Sequence, residues 1–345
     1  MSRVLIVGAG LTGSICAYLL HRGLFSKVRV SVWDKSRDSG GRMATSQNPS
    51  NTSCTVDLGA QYLTATPYYA KVHKSFYEEL LLHGIIKPLE ATIEGLISNE
   101  EGSVNYVTPS GVSSIVKHYL KESGAHVLFG HHVTHVCCKG SGWEVHQKGG
   151  SPEQFDVVVL TMPVPQILQL QGDISSCECN EAERQMLEDV SYSSRYALGL
   201  FYKAGVRISV PWAAKYVSDN PCIRYVAIDD KKRNLEVSEE CGPSLVVHTT
   251  VPFGVQHIEE TAEDVKSIIL QELKNVMPDL PEPESTSCQK WRYSQVTRSV
   301  PERPGQVTLS SRPLLVCGGD GFTRSDFDGC VGSALKVFDV LKSSL

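Results

Sequence analysis

The sequence predicts an α/β protein in which a Rossmann-like dinucleotide-binding domain is interleaved with a mixed-sheet α+β domain. Three observations predict it. Residues 3–7 (RVLIV) form an apolar run that leads into Gly8-Ala-Gly10-Leu-Thr-Gly13 and then a helical stretch. A second strand-then-glycine pattern, residues 314–322 (LLVCGGDGF), stands near the other end of the chain. Between them, after residues 162–166 (MPVPQ), the pattern changes to alternating strands such as RYALGLFY and GPSLVVHTTV. Both termini are therefore expected to build one domain, over 1–75, 105–163 and 300–345. The middle of the chain, 76–104 and 164–299, is expected to build the other.

Each element has its own signal. Residues 28–33 form the second strand, with Asp34 at its carboxyl end, and residues 14–22 form the helix before it, ended by Gly23. Pro67 opens a helix through Val72, Phe76 and Leu80. Val112, Ile115, Val116, Tyr119 and Leu120 make an amphipathic stripe that Gly124 ends. Residues 126–129, 133–137 and 143–146 are expected to form strands of a hairpin excursion, and residues 155–161 (FDVVVLT) return to the central sheet. Val265, Ile268, Ile269, Leu273 and Val276 mark a late helix, and Val331, Ala334, Leu335 and Phe338 a last one.

Composition sets outer limits. At 345 residues the chain has length for about two domains. A net charge of −5 leaves no basic footprint for nucleic acid and disfavours anionic membrane surfaces. The eleven cysteines hold no CxxC pair for zinc; their odd number and scatter, with Cys137-Cys138 adjacent and Cys177 and Cys179 flanking one glutamate, point to reduced, mostly buried thiols. His131-His132-x-x-His135 reads as histidines on a strand and its turn, because no cysteine or carboxylate cluster joins them. Residues 4–20 lack the charged leader of a signal peptide, and cleavage after them would destroy the glycine signature. No stretch approaches the roughly 18 apolar residues of a membrane span.

The glycines carry the chemistry. In Gly8-x-Gly10-x-x-Gly13 the first allows a tight turn, the second lets backbone approach a pyrophosphate, and the third packs helix on strand. The helix N-terminus faces the phosphates, and Asp34 accepts from a ribose hydroxyl. This much does not separate NAD from FAD. Residues 33–43 (WDKSRDSGGRM) add a second glycine pair with a cation, and Gly41 and Arg42 suit the phosphate and ribityl portion of a longer cofactor. At the far end, Asp320, Gly321 and Phe322 sit where ribityl or ribose hydroxyls would be met. A helix starting near Asp328-Gly329 would aim its N-terminus at the N1/O2 edge of a flavin. Three such segments point to FAD.

These residues carry a family resemblance. The N-terminal fingerprint, DSGGRM (38–43), DLGAQY (57–62) and GGDGF (318–322) resemble the flavin amine oxidase superfamily, whose FAD domain is of glutathione-reductase type. Residues 151–174, 190–202 and 249–255 extend the resemblance over essentially the whole chain. They are most similar to the branch that oxidises 1,2- and 1,6-dihydro isomers of NAD(P) to NAD(P)+ with oxygen as acceptor and hydrogen peroxide as product. The resemblance implies that Thr12, Arg42, Gln61 and Tyr62 contact FAD, that Val133 lies on the strand whose backbone meets the adenine, and that FAD is held non-covalently. Cys317 and Cys330 read as packed thiols. Vertebrate members of that branch are regarded as secreted, whereas thiol content and the N-terminal strand favour the cytosol; both localisations stay open.

A dihydropyridine already carries a labile hydride, so a site for it needs positioning more than acid–base machinery. No Ser/His/Asp or paired-carboxylate arrangement is visible. The substrate wall is expected from the middle domain, with His248, Trp291 and Tyr62 foremost and Tyr196, Trp212, Tyr216, Arg224, Thr249 and Thr250 as further candidates. Two alternatives stand beside this reading. One is an oxidase of a small amine. The other is a secreted signalling protein with a structural flavin, whose mixed-charge stretch 228–240 (IDDKKRNLEVSEE) would be exposed to a cell-surface receptor.

Overall fold

A computed structural model of the chain describes residues 1–97, 99–176, 181–235 and 239–345. The chain divides into two compact units, the first of residues 1–41, 115–192 and 295–345, the second of 42–114 and 193–294. Cys177 and Cys179 lie outside the described residues, as do positions 236–238 of the mixed-charge stretch.

The first unit is built on a six-stranded sheet, in the order Gln306–Ser311, Leu314–Gly318, Val157–Leu160, Ser2–Val7, Val28–Asp34 and His126–Phe129. All neighbours are parallel except the first pair. The apolar runs explain this, because strands covered on both faces need no polar alternation. His126–Phe129 pairs with Val28–Asp34 in this sheet, so it does not belong to the hairpin excursion. That excursion is Val133–Lys139, Gly142–Gln147 and Glu153–Phe155, all antiparallel. The return predicted at 155–161 holds, with Val157–Leu160 between the first strand and Leu314–Gly318. Trp33, Trp143, Phe155 and Leu160 join Val164, Ile167, Leu187 and Val190 in one core, which is why residues 164–192 go with this unit.

The first helix spans Leu11–Leu24 and runs through Gly23, which was expected to end it. Gly23 instead faces the last helix, Phe327–Ser344, where a Cβ would lie 2.4 Å from the Phe338 ring. Its small size serves packing, not termination. Asp326, one residue before the last helix, caps it by accepting from Gly329 N at 2.6 Å.

The second unit has its own six-stranded sheet, in the order Ser285–Trp291, Arg195–Phe201, Ser244–Thr249, Ile223–Ile228, Ala214–Tyr216 and Ile93–Glu94. Its neighbours are antiparallel except the last pair. One face buries Leu198, Leu200, Val226 and Val247 against Val265, Ile269 and Leu273 of the helix Ala262–Val276. The other face carries small residues, Ala197, Gly199, Ala214 and Ala227, beneath Cys54, Val56 and Leu58 of the Asn51–Asp57 strand and the turn after it. This packing places residues 42–75 and 105–114 in the second unit, although the sequence suggested the first.

Cys54 and Cys241 form a disulfide, with Cα atoms 5.6 Å apart at a sequence separation of 187. The expectation of reduced thiols throughout is corrected here. The pair forms because the strand bearing Cys54 lies over the sheet near the start of Ser244–Thr249, a tertiary proximity that an odd, scattered count conceals. Among the described residues, no helix is long and apolar enough to cross a membrane.

At Gly199 a Cβ would stand 2.6 Å from Val56 Cγ1 and 3.0 Å from Leu58 Cδ2. Gly199→Ala should therefore overpack this layer and cost about 1–3 kcal/mol, measured by urea denaturation. An unchanged midpoint would show that the covering strand yields freely.

Candidate functional site

In the first unit the glycine turn has the form its residues demand. Gly13 packs so closely on the preceding strand that a Cβ would fall 2.0 Å from Gly8 O. Beside Gly10, by contrast, a Cβ would meet nothing within 4 Å. Gly10 is the N-cap of Leu11–Leu24 and supplies no side-chain cap, so the first-turn N–H groups are left for another acceptor. Open space in front of uncapped N–H groups fits a pyrophosphate. Thr12 is buried in that first turn.

Asp34 sits beside the turn. Its Oδ2 accepts from Ala9 N and its Oδ1 from Ser36 N, both at 2.7 Å. A carboxylate has about four acceptor positions, so two remain for ribose hydroxyls. The second glycine pair folds back on the fingerprint, with Gly40 N donating to Ala9 O at 3.0 Å and positive φ at Gly40 and Gly41. On the far strand, Asp320–Phe322 forms a short 3-10 turn after Leu314–Gly318. Asp320 is buried and its Oδ2 accepts from Ser325 Oγ at 2.5 Å. Gly321 O accepts from Val300 N, and the Phe322 ring lies wholly in the core. Val133 is also buried in that core, beside an irregularity in its strand's pairing.

The second unit holds a feature that the sequence concealed. Asp57, Asp229, Lys232 and Arg233 have side chains no more than 2% exposed and form one ion cluster. Arg233 Nη2 lies 2.9 Å from Asp57 Oδ1 and 2.7 Å from Asp229 Oδ2, and Lys232 Nζ lies 2.6 Å from Asp229 Oδ1. Thr45 Oγ1 and Val112 N donate to Asp57 Oδ1, and Asp57 N donates to Asp229 Oδ2. Burial and the neighbouring Asp229 raise the Asp57 pKa; burial acts upward on Asp229 too, but Arg233 and Lys232 outweigh it and hold that carboxyl down. The expectation of an exposed mixed-charge stretch at 228–240 is thus corrected: three of its charges face inward because each finds an opposite charge there. An acid in the DLGAQY segment and a DDKKR run 172 residues on are the signals that, taken together, could have suggested it.

This cluster organises residues 57–62. Lys232 Nζ donates to Gln61 Oε1 at 2.7 Å, and Gln61 Nε2 donates to Asp57 O and Gly59 O. Arg42 O accepts from Ala60 N at 3.0 Å. The carbonyl of Leu58 then receives two rings: His248 Nε2 and Trp291 Nε1, each at 3.1 Å. Tyr62 Oη lies 2.6 Å from Tyr216 Oη, the Tyr216 ring is 5.0 Å from Tyr225, and Tyr225 is 5.8 Å from His248. Tyr62, His248 and Trp291 therefore come together. Burial lowers the His248 pKa to about 4, with the cations Arg195 and Lys232 acting in the same direction. The ring is neutral near pH 7, and with Nε2 donating to Leu58 O its Nδ1 is an acceptor.

Other candidates fall elsewhere. Tyr196 and Trp212 belong to the core on the opposite face of the sheet, and Tyr196 Oη donates to His257 O. Thr249 is buried and accepts from Tyr196 N, while Thr250 caps the helix Val251–Gln256. Both threonines shape backbone.

Arg233→Met should leave two carboxylates around one lysine and cost about 3–5 kcal/mol in urea denaturation; a loss under about 1 kcal/mol would contradict the cluster's weight. The neutral His248 gives a pH dependence of known sign. A depressed pKa means the unfolded chain binds the proton first, so this contribution is complete above about pH 6.5 and is lost as pH falls toward about 4. His248→Asn should flatten the stability curve in that window, read as Tm against pH.

Comparison with known proteins bears on both units. Residues 6–80 match the NAD(P)-binding Rossmann-like domain family, and residues 89–337 match the flavin containing amine oxidoreductase family. Renalase of Mus musculus is 57% identical over 342 residues, covering 99% of each chain. A solved structure of a putative protoporphyrinogen oxidase from Exiguobacterium superposes with a TM-score of 0.75 at 13% identity, covering 100% of this chain and 99% of that one. A putrescine oxidase bound to putrescine gives 0.70, also at 13%, with 99% of each covered. At such identities the likeness to the solved structures is one of fold.

Proposed function

The chain belongs to the flavin containing amine oxidoreductase family, and from that premise we propose that it oxidises the 1,2- and 1,6-dihydro isomers of NAD(P) to NAD(P)+. In this reading the bound group would be non-covalent FAD, which would supply a hydride acceptor at N5 and a route for the electrons to oxygen, with hydrogen peroxide as product. The first unit holds FAD through Gly8, Gly10, Thr12 and Gly13 at the pyrophosphate and Asp34 at the ribose. Gly41, the backbone at Val133, and Asp320, in the turn that the buried Gly321 and Phe322 fix, complete that binding surface. The parallel five-strand core with its antiparallel excursion supports assigning this unit to the glutathione-reductase type.

The observation that carries the substrate assignment is the character of the ring cluster in the second unit. Tyr62, Tyr216, His248 and Trp291 present polar rings without a carboxylate, His248 is neutral near pH 7, and Arg195 and Arg224 beside them have no carboxylate within ion-pair distance among the described residues. An amine substrate arrives mostly as an ammonium ion, which two nearby cations repel. A dihydronicotinamide is neutral at its ring and anionic at its phosphates. Its oxidation requires no proton abstraction at carbon, so a site without a catalytic carboxylate suffices. Trp291 and the tyrosines offer planes for the ring, and His248 Nδ1 can accept from the carboxamide. Their task is to hold the reacting carbon in place and exclude water.

Anaerobic titration tests the assignment. The 1,2- and 1,6-dihydro isomers should bleach the flavin rapidly, and 1,4-dihydro-NAD should act poorly, because about 1 Å of misplacement costs on the order of 100-fold. In air, one peroxide should form per NAD(P)+. Rapid bleaching by a primary amine, with none by the isomers, would replace this reading with an amine oxidase.

A further inference from the structure

Two partly buried arginines of the second unit, Arg195 and Arg224, differ from its fully buried cations. Lys232 and Arg233 each have an aspartate within 3 Å. Among the described residues Arg195 and Arg224 have none; each donates to a carbonyl, Arg195 Nη1 to Thr249 O at 3.3 Å and Arg224 Nη1 to Val217 O at 3.2 Å. Arg195 Nε is buried without a hydrogen-bond partner. A guanidinium has five N–H donors, so most of this donor capacity is left for something else.

Sheet register puts both on the ring-lined face. Arg195 is opposite Trp291, and Ala197, two residues on and pointing the same way, is opposite His248. His248 is in turn opposite Tyr225, and Tyr225 opposite Tyr216. Strict alternation would turn Arg224 to the other face. The pairing is irregular between Ile223 and Tyr225, however, and the bulge re-aims Arg224 so that its guanidinium lies 5.5 Å from the Tyr216 ring centre. The two arginines stand on the strands that flank Ser244–Thr249 on either side, and burial, and next the charge of Arg224, lower the Arg195 pKa. A like charge nearby disfavours the charged form of each, and a bound anion would relieve that cost.

We infer that Arg195 and Arg224 form a phosphate-binding site, and that it takes the pyrophosphate of the dinucleotide substrate. Two planar forks match adjacent phosphates, and the rings beside them take the nicotinamide end. The second half of this inference rests on the dihydro-NAD(P) reading; the first half does not.

Calorimetric titration of the holoenzyme with ADP-ribose reads the site without turnover, since this probe has the pyrophosphate but no reactive ring. Binding should be weakened about 10-fold or more in Arg195→Gln and in Arg224→Gln, with an intermediate loss in Arg224→Lys. The flavin spectrum and Tm of each variant establish that it is folded. If a variant fails that control, inorganic pyrophosphate must compete with ADP-ribose on the unaltered protein. The same substitutions should raise KM for 1,6-dihydro-NAD more than for dihydronicotinamide riboside, which has no phosphate. Equal ADP-ribose affinity in all proteins, or none in the unaltered one, overturns the site. Arginine-dependent ADP-ribose binding in a protein that oxidises no dihydronicotinamide keeps the phosphate site and removes the reaction; oxidation without arginine dependence does the reverse.

Discussion

The arrangement of the second unit depends on two carboxylates and two cations buried together. Taking four charges out of water is costly, and mutual pairing supported by hydrogen bonds is what offsets it. Asp57 therefore has one acceptable environment, in which Arg233, Thr45 and Val112 all reach it. That requirement locks three separate stretches of chain together. It also fixes the residues that follow Asp57, because Lys232 grips Gln61 and Gln61 grips the backbone at Asp57 and Gly59. The Leu58 carbonyl, where His248 and Trp291 meet, is thus set by charges that touch neither ring.

A polar cluster of this kind confers specificity of position more than net stability. Apolar packing alone would let the covering strand slide over Ala197, Gly199, Ala214 and Ala227, which present little relief. Charge pairing is directional and leaves one register. The first unit reaches precision differently, through contacts too close for any side chain, as at Gly13, and through Asp34 bound to the backbone it flanks.

The sequence made the first unit largely legible. Its parallel strands are continuous apolar runs, and its glycines are tied to local turns whose geometry needs no distant partner. The second unit was less so. Tyr62, His248 and Trp291 could be singled out as polar or aromatic residues among apolar neighbours, yet nothing local shows that His248 and Trp291 share one carbonyl or that Tyr62 reaches them through Tyr216 and Tyr225. The charges at 229–233 look solvated until Asp57 is brought to them from 172 residues away. Arg224 is still less readable, since alternation assigns it to the wrong face and only a bulge corrects it. Cys54 and Cys241 fail for the same reason: pairing over such a distance is a property of the fold.

That disulfide gives the chain an unusual connectivity. The second unit is made of two segments, and the bond joins one to the other, closing a covalent ring that contains all of residues 115–192. Closing a ring of this length removes roughly 5 kcal/mol of freedom from the unfolded chain. The first unit is consequently assembled from a portion inside the ring and two tails outside it. A protease cut anywhere within 115–192 would open the ring without releasing a fragment, so the pieces of the second unit would stay in register after the chain between them was broken.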